Sequence, residues 1–460
     1  MKEELIGNKK NYSTGQSTLE ILISLFILTT SIAAAVIISF GNQSTAIDAE
    51  LSNQALYLNR QILETAWATG KQDFNSLISS SSTEDIYLKE IIIDNIDTYT
   101  KKIISRVSWQ IEKLRPQKIE LVTLITDKQV VLETGGDTGG SPPSGNWENP
   151  RTLGSIDLGA GVSATDLDVK NKIIYLSAIA SVETKPDFFI VDAANGQSPF
   201  IISSLNMGEG LNSIDVAGNY AYTVGKDDNK EFIVVDVSNL SAPVEIASLD
   251  LPGDADALTI FYWDNYVYVG RASGAPQEFS IIDVNNPLNP SLVSGLSGVG
   301  NGINDIYVLN NRAYLGTEDF KRGMIVVDVV SSTSPFILGS IDIGDYTYSV
   351  YSKSEDKILV GEKTKFYIVN ASDVSNMAIV GSVSIGDKTR DIVSAGSLAF
   401  LVTEDANAEF KIYNISNPSS PLLWSFFNFP QMATGIDYED NIIYVSVRSN
   451  DALRIITSSP

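Results

Sequence analysis

The 460-residue sequence contains no cysteine and no histidine. Disulfides, thiolate nucleophiles and histidine-based acid–base catalysis are therefore excluded, and so are zinc sites built from the usual ligands. Any catalysis would depend on carboxylates, lysine, tyrosine or serine. The sequence favours a protein that is not an enzyme, and it predicts no cofactor. Calcium is the one ion considered, because the many carboxylates supply the oxygen ligands that it prefers.

Basic residues are also scarce, with 32 lysines and arginines against 56 acidic residues and a net charge of −24. The imbalance lies mostly in the C-terminal part, where residues 148–460 carry 39 acidic and 19 basic side chains. A surface this acidic is repelled by phosphate backbones. The sequence therefore predicts no nucleic-acid partner.

Long hydrophobic runs are rare, and the longest covers residues 19–40, where Glu20 is the single charged residue. An apolar run of about 20 residues is long enough to span a bilayer as a helix. Three lysines precede the run: Lys2, Lys9 and Lys10. Because positive charge favours the cytoplasmic side, the pattern predicts a chain inserted in the cytoplasmic membrane by one N-terminal helix.

The helical pattern continues beyond this run, since no proline occurs before Pro116. Apolar residues recur at intervals of three and four from Ile47 to Ala66, which predicts a single apolar stripe. Gly70 is suited to end the helix. We therefore expect one transmembrane and amphipathic helix over residues 16–70, suited to packing beside copies of itself.

The residues around the start of this helix resemble the N-terminus of a type IV pilin or pseudopilin. Gly15 is followed by Gln16, two hydroxyl residues and a leucine, and Glu20 stands at the fifth position after the glycine. The resemblance implies a leader peptide over residues 1–15, cut by a prepilin peptidase between Gly15 and Gln16. It also implies N-methylation of Gln16 and a role for Glu20 in filament assembly with other pilin-like subunits. The mature protein would then lie in an extracytoplasmic or cell-surface filament, and a plain membrane anchor is the alternative.

A small β domain is predicted over residues 71–134, with strands near residues 87–93, 103–111 and 119–125. One small sheet is marginal alone, so we expect it to pack on the apolar stripe of the helix. This region resembles the compact head of minor pilins. Residues 135–149 are rich in glycine, serine and proline, which predicts a flexible linker.

From residue 150 the sequence repeats one unit, marked by an apolar residue, a β-branched pair and an acid or amide. A period in the forties with strand-like segments is typical of propeller blades. Residues 150–159 read like a fourth strand and are expected to complete the last blade, which gives seven blades over residues 150–460. The repeats resemble LVIVD-repeat propellers, a family that implies no definite activity. The marked fourth positions are Asp192, Asp236, Asp283, Asp328, Asn370, Asn414 and Thr457.

The fold class predicted for the whole chain is a long N-terminal helix with a small antiparallel sheet, followed by an all-β seven-bladed propeller. The repeated aspartates stand at equivalent turns, so we interpret them as Asx turns rather than as a metal site. The candidate binding face comprises the loops between second and third strands and the glycine-rich connections between blades. It would contact an unknown protein or glycan through eight acidic residues: Asp227, Asp228, Asp254, Asp256, Glu318, Asp319, Glu404 and Asp405.

The leading functional hypothesis is a minor-pilin-like subunit that displays the propeller for adhesion or protein–protein contact. A pseudopilin of a type II secretion or DNA-uptake system is the first alternative. The second alternative is a membrane-tethered propeller glycosidase, which would use a carboxylate pair across the central channel.

Overall fold

The computed structural model of the chain describes residues 28–33, 48–70, 74–95, 100–110, 116–126, 142–182, 184–429, 431–449 and 452–460. The chain divides into two units, Met1–Asp127 and Lys128–Pro460. The predicted leader peptide over residues 1–15 and the pilin-like positions Gly15, Gln16 and Glu20 lie outside the described residues.

The helical segments of the first unit are residues 28–33 and 48–70. A continuous helix over residues 16–70 is not shown, because only these two segments of that range are described. Among the described residues, no helix combines the length and the apolar composition that crossing a membrane requires. The longer segment carries four charged residues within one membrane length: Asp48, Glu50, Arg60 and Glu64.

These findings contradict the predicted insertion in the cytoplasmic membrane by an N-terminal helix. The predicted localisation by an N-terminal membrane-inserted helix is therefore wrong. The described helices also give no support to the resemblance to a type IV pilin N-terminus.

The first unit contains one antiparallel sheet in the order β1-β2-β3-β4, with a 3-10 turn at Phe74–Ser76 before it. Ala55 of the helix packs with Val107 and Trp109 of the sheet, so the apolar stripe covers one face as predicted. The sequence predicted three strands and missed β1, because its residues are polar and exposed. The strands are β1 (Ser80–Glu84), β2 (Tyr87–Asn95), β3 (Thr100–Gln110) and β4 (Pro116–Thr126).

The second unit contains seven four-stranded antiparallel sheets among its described residues, each formed by four strands in sequence order except the last. These sheets are the blades of a propeller. Blades one to three comprise β6 (Val162–Lys170), β7 (Ile173–Ala180), β8 (Phe188–Asp192), β9 (Phe200–Leu205), β10 (Leu211–Ala217), β11 (Tyr220–Gly225), β12 (Phe232–Asp236), β13 (Val244–Leu249), β14 (Ala257–Trp263), β15 (Tyr266–Arg271), β16 (Phe279–Asp283) and β17 (Ser291–Leu296).

Blades four to seven continue the same order, and a 3-10 turn at Val374–Asn376 precedes the outer strand of blade five. They comprise β18 (Ile303–Leu309), β19 (Arg312–Thr317), β20 (Met324–Asp328), β21 (Phe336–Ile341), β22 (Ser349–Ser354), β23 (Lys357–Gly361), β24 (Lys365–Asn370), β25 (Ala378–Ser384), β26 (Thr389–Ala395), β27 (Leu398–Thr403), β28 (Phe410–Asn414), β29 (Leu422–Phe427), β30 (Ala433–Glu439), β31 (Ile442–Val447), β32 (Leu453–Ser459) and β5 (Asn146–Ile156).

The last blade is closed by the N-terminal strand β5, as the sequence predicted. This strand pairs antiparallel with β32, with Leu453 opposite Ile156. It begins at Asn146, so the last residues of the predicted linker 135–149 are strand. Trp147 is buried and its ring packs 5.0 Å from that of Phe400 in blade six. Radial repetition of the blades leaves only short, protected strand edges.

The repeated motif forms the third strand of each blade and is buried because blades cover both of its faces. In β12 the first four residues are buried and only Asp236 is partly exposed. Its Oδ1 accepts a 2.8 Å hydrogen bond from the Ser238 N–H. The equivalent Asp192, Asp283 and Asp328 each accept a hydrogen bond from the N–H of the residue two positions later. These bonds confirm the predicted Asx turns.

Candidate functional site: the axial channel and its mouth

A cavity of about 440 Å³ runs along the axis of the propeller and is lined by the first strand of every blade. In six blades the pairing of this strand with the second shifts by one residue near its start. Such a bulge redirects one side chain. The residues at these bulge positions are Thr165, Asn212, Leu258, Asn304, Arg390 and Thr434.

Four of the bulge residues join their blade to the next one. Each donates a side-chain hydrogen bond to a carbonyl oxygen at the start of the neighbouring first strand. The bonds are Thr165 Oγ1 to Leu211 at 2.8 Å, Asn212 Nδ2 to Ala257 at 2.8 Å, Asn304 Nδ2 to Thr347 at 2.9 Å and Thr434 Oγ1 to Ala164 at 3.1 Å.

Blade three has Leu258 at the corresponding place, and blades five and six carry the larger polar side chains of Tyr348 and Arg390. Arg390 Nη2 lies 2.5 Å from Glu404 Oε1, and Lys388 Nζ lies 3.9 Å from the same oxygen. Lys388 Nζ also lies 3.8 Å from the centre of the Tyr348 ring. The exposed Arg448 lines the same end of the channel. We call these five residues the mouth cluster.

Positive charge is crowded in the mouth cluster. Burial and the charges of Arg390 and Arg448 lower the pKa of Lys388 to about 8, while Glu404 and Glu318 act in the opposite direction. Arg390 Nε is buried and has no hydrogen-bond partner among the described residues. The guanidinium of Arg390 is therefore only partly satisfied by Glu404.

An aromatic ladder leads outward from the mouth cluster. The Tyr348 ring lies 6.4 Å from that of Tyr346, which lies 4.4 Å from the ring of Phe320. Phe320 is 57% exposed. It stands in the loop between β19 and β20, whereas both tyrosines stand in the connection from blade four to blade five. These three rings form one surface that begins at the channel mouth.

The channel itself contains three carboxylates that connect blades: Asp166, Asp305 and Asp391. Each accepts a hydrogen bond from the N–H of the following residue through Oδ1 and one from the next blade through Oδ2. Burial raises the pKa of Asp166 to about 6 and that of Asp305 to about 7. Burial and the other two carboxylates raise the pKa of Asp391 well above its usual range.

A second set of inter-blade carboxylates lies two residues further along the first strands, at Asp168, Asp215 and Asp437. They accept from Val216, Tyr262 and Val169 of the next blade at 2.6, 2.6 and 2.8 Å respectively. Blades three to five have aromatic rings here instead, and Phe261, Tyr307 and Tyr351 follow one another at 4.8 Å. The carboxylate hydrogen bonds and the ring contacts both hold the first strands of adjacent blades together.

The structure places the predicted acidic face on separate loops rather than in one group. Asp319 accepts from Arg322 Nε at 2.9 Å, Asp405 accepts from Lys411 Nζ at 2.6 Å, and Asp227 accepts from the Asn229 N–H at 3.0 Å. These bonds stay within their own loop or blade. The other predicted residues are exposed or half-buried, and their role in binding stays a prediction: Asp228, Asp254, Asp256 and Glu318.

Glu404 is the member of the predicted face that belongs to the mouth cluster, through its ion pair with Arg390. Within the part of the chain that the structure describes, no three acidic side chains are arranged to hold a metal ion. The calcium hypothesis therefore finds no support there. The sequence reasoning missed Tyr348, Lys388, Arg390 and Arg448. An alignment of the blades points to two of these residues, because Tyr348 and Arg390 stand where four other blades have threonine or asparagine.

Comparison with known proteins agrees with the repeated architecture. The LVIVD repeat family matches residues 211–250, 252–296 and 387–428. The C-terminal unit is a β-propeller with LVIVD repeats. No curated protein sequence matches the chain.

Solved propellers support this fold at low sequence identity. A chain of the mitotic checkpoint complex is 13% identical, with a TM-score of 0.53 over 66% of this chain and 93% of that one. The WD40 propeller domain of Doa1 is 12% identical, with a TM-score of 0.52 over 68% and 97%. A virginiamycin B lyase from Staphylococcus aureus, solved as an inactive variant with quinupristin, is 12% identical, with a TM-score of 0.51 over 66% and 99%.

Proposed function

We propose that the propeller is a protein-interaction module and that its partner contacts the channel mouth. The observation that carries this proposal is the break in the inter-blade pattern at Tyr348 and Arg390. In blades one, two, four and seven, small polar side chains at this place bond to the next blade, and blade three has Leu258 there. Local departures from an otherwise consistent scaffold are expected at functional sites.

The residue types at the mouth agree with a protein partner. Tyrosine and arginine are enriched among the side chains that dominate binding energy at protein interfaces. The exposed Phe320 extends this surface and supplies apolar area beside the charged cluster. LVIVD repeats and the propeller fold suggest a protein-interaction module in more general terms.

The test uses the full-length protein in the cells that produce it, with a photo-crosslinking amino acid at one position. Position 321 is exposed and follows Phe320 on the mouth side of blade four. Position 331 is exposed and lies in the turn after the third strand of the same blade, on the opposite side of the ring. We expect crosslinks to one protein from position 321 and none from position 331. Equal crosslinking from both positions, or none from position 321, contradicts the proposal.

A filament-subunit function remains a second proposal, and it concerns the first unit. It is supported by the apolar face of the helix over residues 48–70, which packs on a four-stranded antiparallel sheet. This order is the one expected of a pilin-like head. Mass spectrometry of the N-terminus of the purified protein tests it. A chain that begins at Gln16 supports the proposal, whereas an intact Met1 removes it.

A further inference from the structure

We infer that the mouth cluster binds a carboxylate presented by an acidic segment of the partner protein, in competition with Glu404. This inference rests on the proposed interaction function and specifies the chemistry of the partner. It assigns Glu404 the role of an internal carboxylate that occupies the site until the partner displaces it.

The charge distribution is the first argument. The C-terminal unit is strongly acidic overall, yet one end of its channel is lined by Lys388, Arg390 and Arg448, with Lys226 from blade two. Among the described residues, Glu404 is the carboxylate within ion-pair distance of the first two of these cations. Crowded cations of this kind attract an anion, because binding relieves their mutual repulsion.

The geometry of Arg390 is the second argument. A guanidinium binds a carboxylate best through two parallel N–H groups. Oε1 of Glu404 lies 2.5 Å from Nη2 of Arg390. The buried Nε has no acceptor among the described residues. A carboxylate that meets both nitrogens would satisfy a group that the internal partner leaves incomplete, and a buried unsatisfied donor is costly.

The surroundings favour an acidic peptide segment over a nucleic acid. Glu404 already shows that a single carboxylate fits against Arg390. A polyanion would be repelled by the acidic remainder of the unit. The aromatic ladder adjoins the cations, and it offers apolar area to a side chain next to the acidic residue. The expected segment therefore carries an acidic group beside an aromatic or aliphatic residue.

The probes are three fluorescein-labelled peptides whose binding to the full-length protein is followed by fluorescence anisotropy. The first has the sequence Gly-Phe-Glu-Tyr-Gly with an amidated C-terminus. The second carries glutamine in place of glutamate. The third is the glutamine peptide with a free C-terminal carboxylate. We expect the first or the third to bind at least about tenfold more tightly than the second, as the loss of a charge-assisted hydrogen bond predicts. Tighter binding of the first peptide indicates a side-chain carboxylate, and tighter binding of the third indicates a C-terminal one.

Three variants locate the site. Arg390→Gln and Arg448→Gln should each reduce the preference for the carboxylate peptide, and Arg448 is exposed, so its replacement leaves the fold intact. Glu404→Gln should tighten binding of the carboxylate peptide, because the competing internal carboxylate is gone. The matched control is Lys172→Gln in the turn after β6, at the opposite end of that strand from the mouth. It should change nothing.

The inference is overturned if all three peptides bind equally, if none binds, or if the preference survives in both arginine variants. Weaker binding by Glu404→Gln also removes the role given to Glu404. Failure of this inference is distinguishable from failure of the proposed function. Crosslinks from position 321 without carboxylate preference leave an interaction module with a different partner chemistry. Carboxylate preference without crosslinks leaves the site but removes the protein partner.

Discussion

The carboxylate of Asp391 in blade six accepts a hydrogen bond from the backbone N–H of Ile436 in blade seven, at 2.9 Å. The same relationship joins Asp305 to Val350 at 2.8 Å and Asp166 to Ile214 at 3.2 Å. A first strand in a propeller has no hydrogen-bonded neighbour strand on its channel side. These carboxylates supply bonds between blades that the sheets themselves do not make.

Replacement of Asp391 should therefore destabilise the propeller. In Asp391→Asn the side-chain amide nitrogen is a donor, so it cannot accept from the N–H of Ile392 or Ile436. One hydrogen bond is lost, and the free energy of unfolding falls by about 1–3 kcal/mol. Urea denaturation followed by tryptophan fluorescence measures it. The control is Asp328→Asn, which should change stability by less than about 0.5 kcal/mol. The equivalent turn positions in blades five and six are already asparagine, at Asn370 and Asn414. Equal effects of the two substitutions would contradict the inter-blade role.

The channel carboxylates also predict how stability depends on pH. Burial raises the pKa of Asp166 to about 6 and of Asp305 to about 7 in the folded protein. The folded state thus binds more protons than the unfolded chain above the ordinary aspartate range, so stability falls as pH rises through this window. We expect a lower urea midpoint at about pH 7.5 than at about pH 5. Asp305→Asn should show a smaller fall, and a midpoint that rises with pH would contradict this account.

A buried ion pair fixes one of the connections between blades. Arg271 Nη2 lies 3.1 Å from Glu231 Oε1, with both side chains almost fully buried. The guanidinium also donates to the carbonyl oxygens of Pro252, Gly253 and Ala255. Arg271→Gln leaves Glu231 as a buried unpaired charge, so we expect a loss of about 3–5 kcal/mol by urea denaturation.

The partly exposed pair of Arg322 and Asp319 is the matched control for this substitution. Arg322→Gln should cost only about 0–1 kcal/mol, because solvent screens an exposed pair. Equal losses in the two variants would show that burial does not govern the effect.

Binding of a carboxylate at the mouth should weaken in mildly alkaline solution. The pKa of Lys388 lies at about 8, lowered by burial and by Arg390 and Arg448, with Glu404 and Glu318 opposing. Lys388 therefore loses its charge between about pH 7 and pH 9, and an anion then gains less from the site. Burial raises the pKa of the neighbouring Tyr348, so this ring stays neutral there. Anisotropy of the glutamate peptide should show the fall in affinity. Lys388→Arg should abolish this pH dependence, and its persistence in that variant would exclude Lys388 as the cause.

The repeated motif made the propeller predictable from the sequence. Buried β-branched residues recur at one place in each blade, and residues 150–159 matched an outer strand, so the closure by β5 was foreseeable. The start of β5 at Asn146 was missed because Trp147 follows a glycine-rich segment. The predicted membrane insertion was wrong, because it rested on the length of an apolar run and no helix among the described residues is long and apolar enough to span a bilayer.

The site was harder to predict, because function at the mouth depends on departures from the repeat rather than on the repeat itself. Conspicuous acids such as Asp319 and Asp405 are bonded within their own loop or blade. Arg390 and Tyr348 are far less conspicuous in the sequence. A bulge in the first strand places Arg390 at the mouth, and a bulge cannot be located without the register of the strands.

The most direct test of the central claim is the yield of crosslinks from position 321 in the unaltered mouth and in the Arg390→Gln/Arg448→Gln double variant. If the partner binds the mouth cluster, the yield should fall at least about fivefold, which corresponds to a loss of about 1 kcal/mol of binding free energy. The Lys172→Gln variant should keep the full yield. An unchanged yield in the double variant would contradict the claim that this propeller binds its partner through the channel mouth.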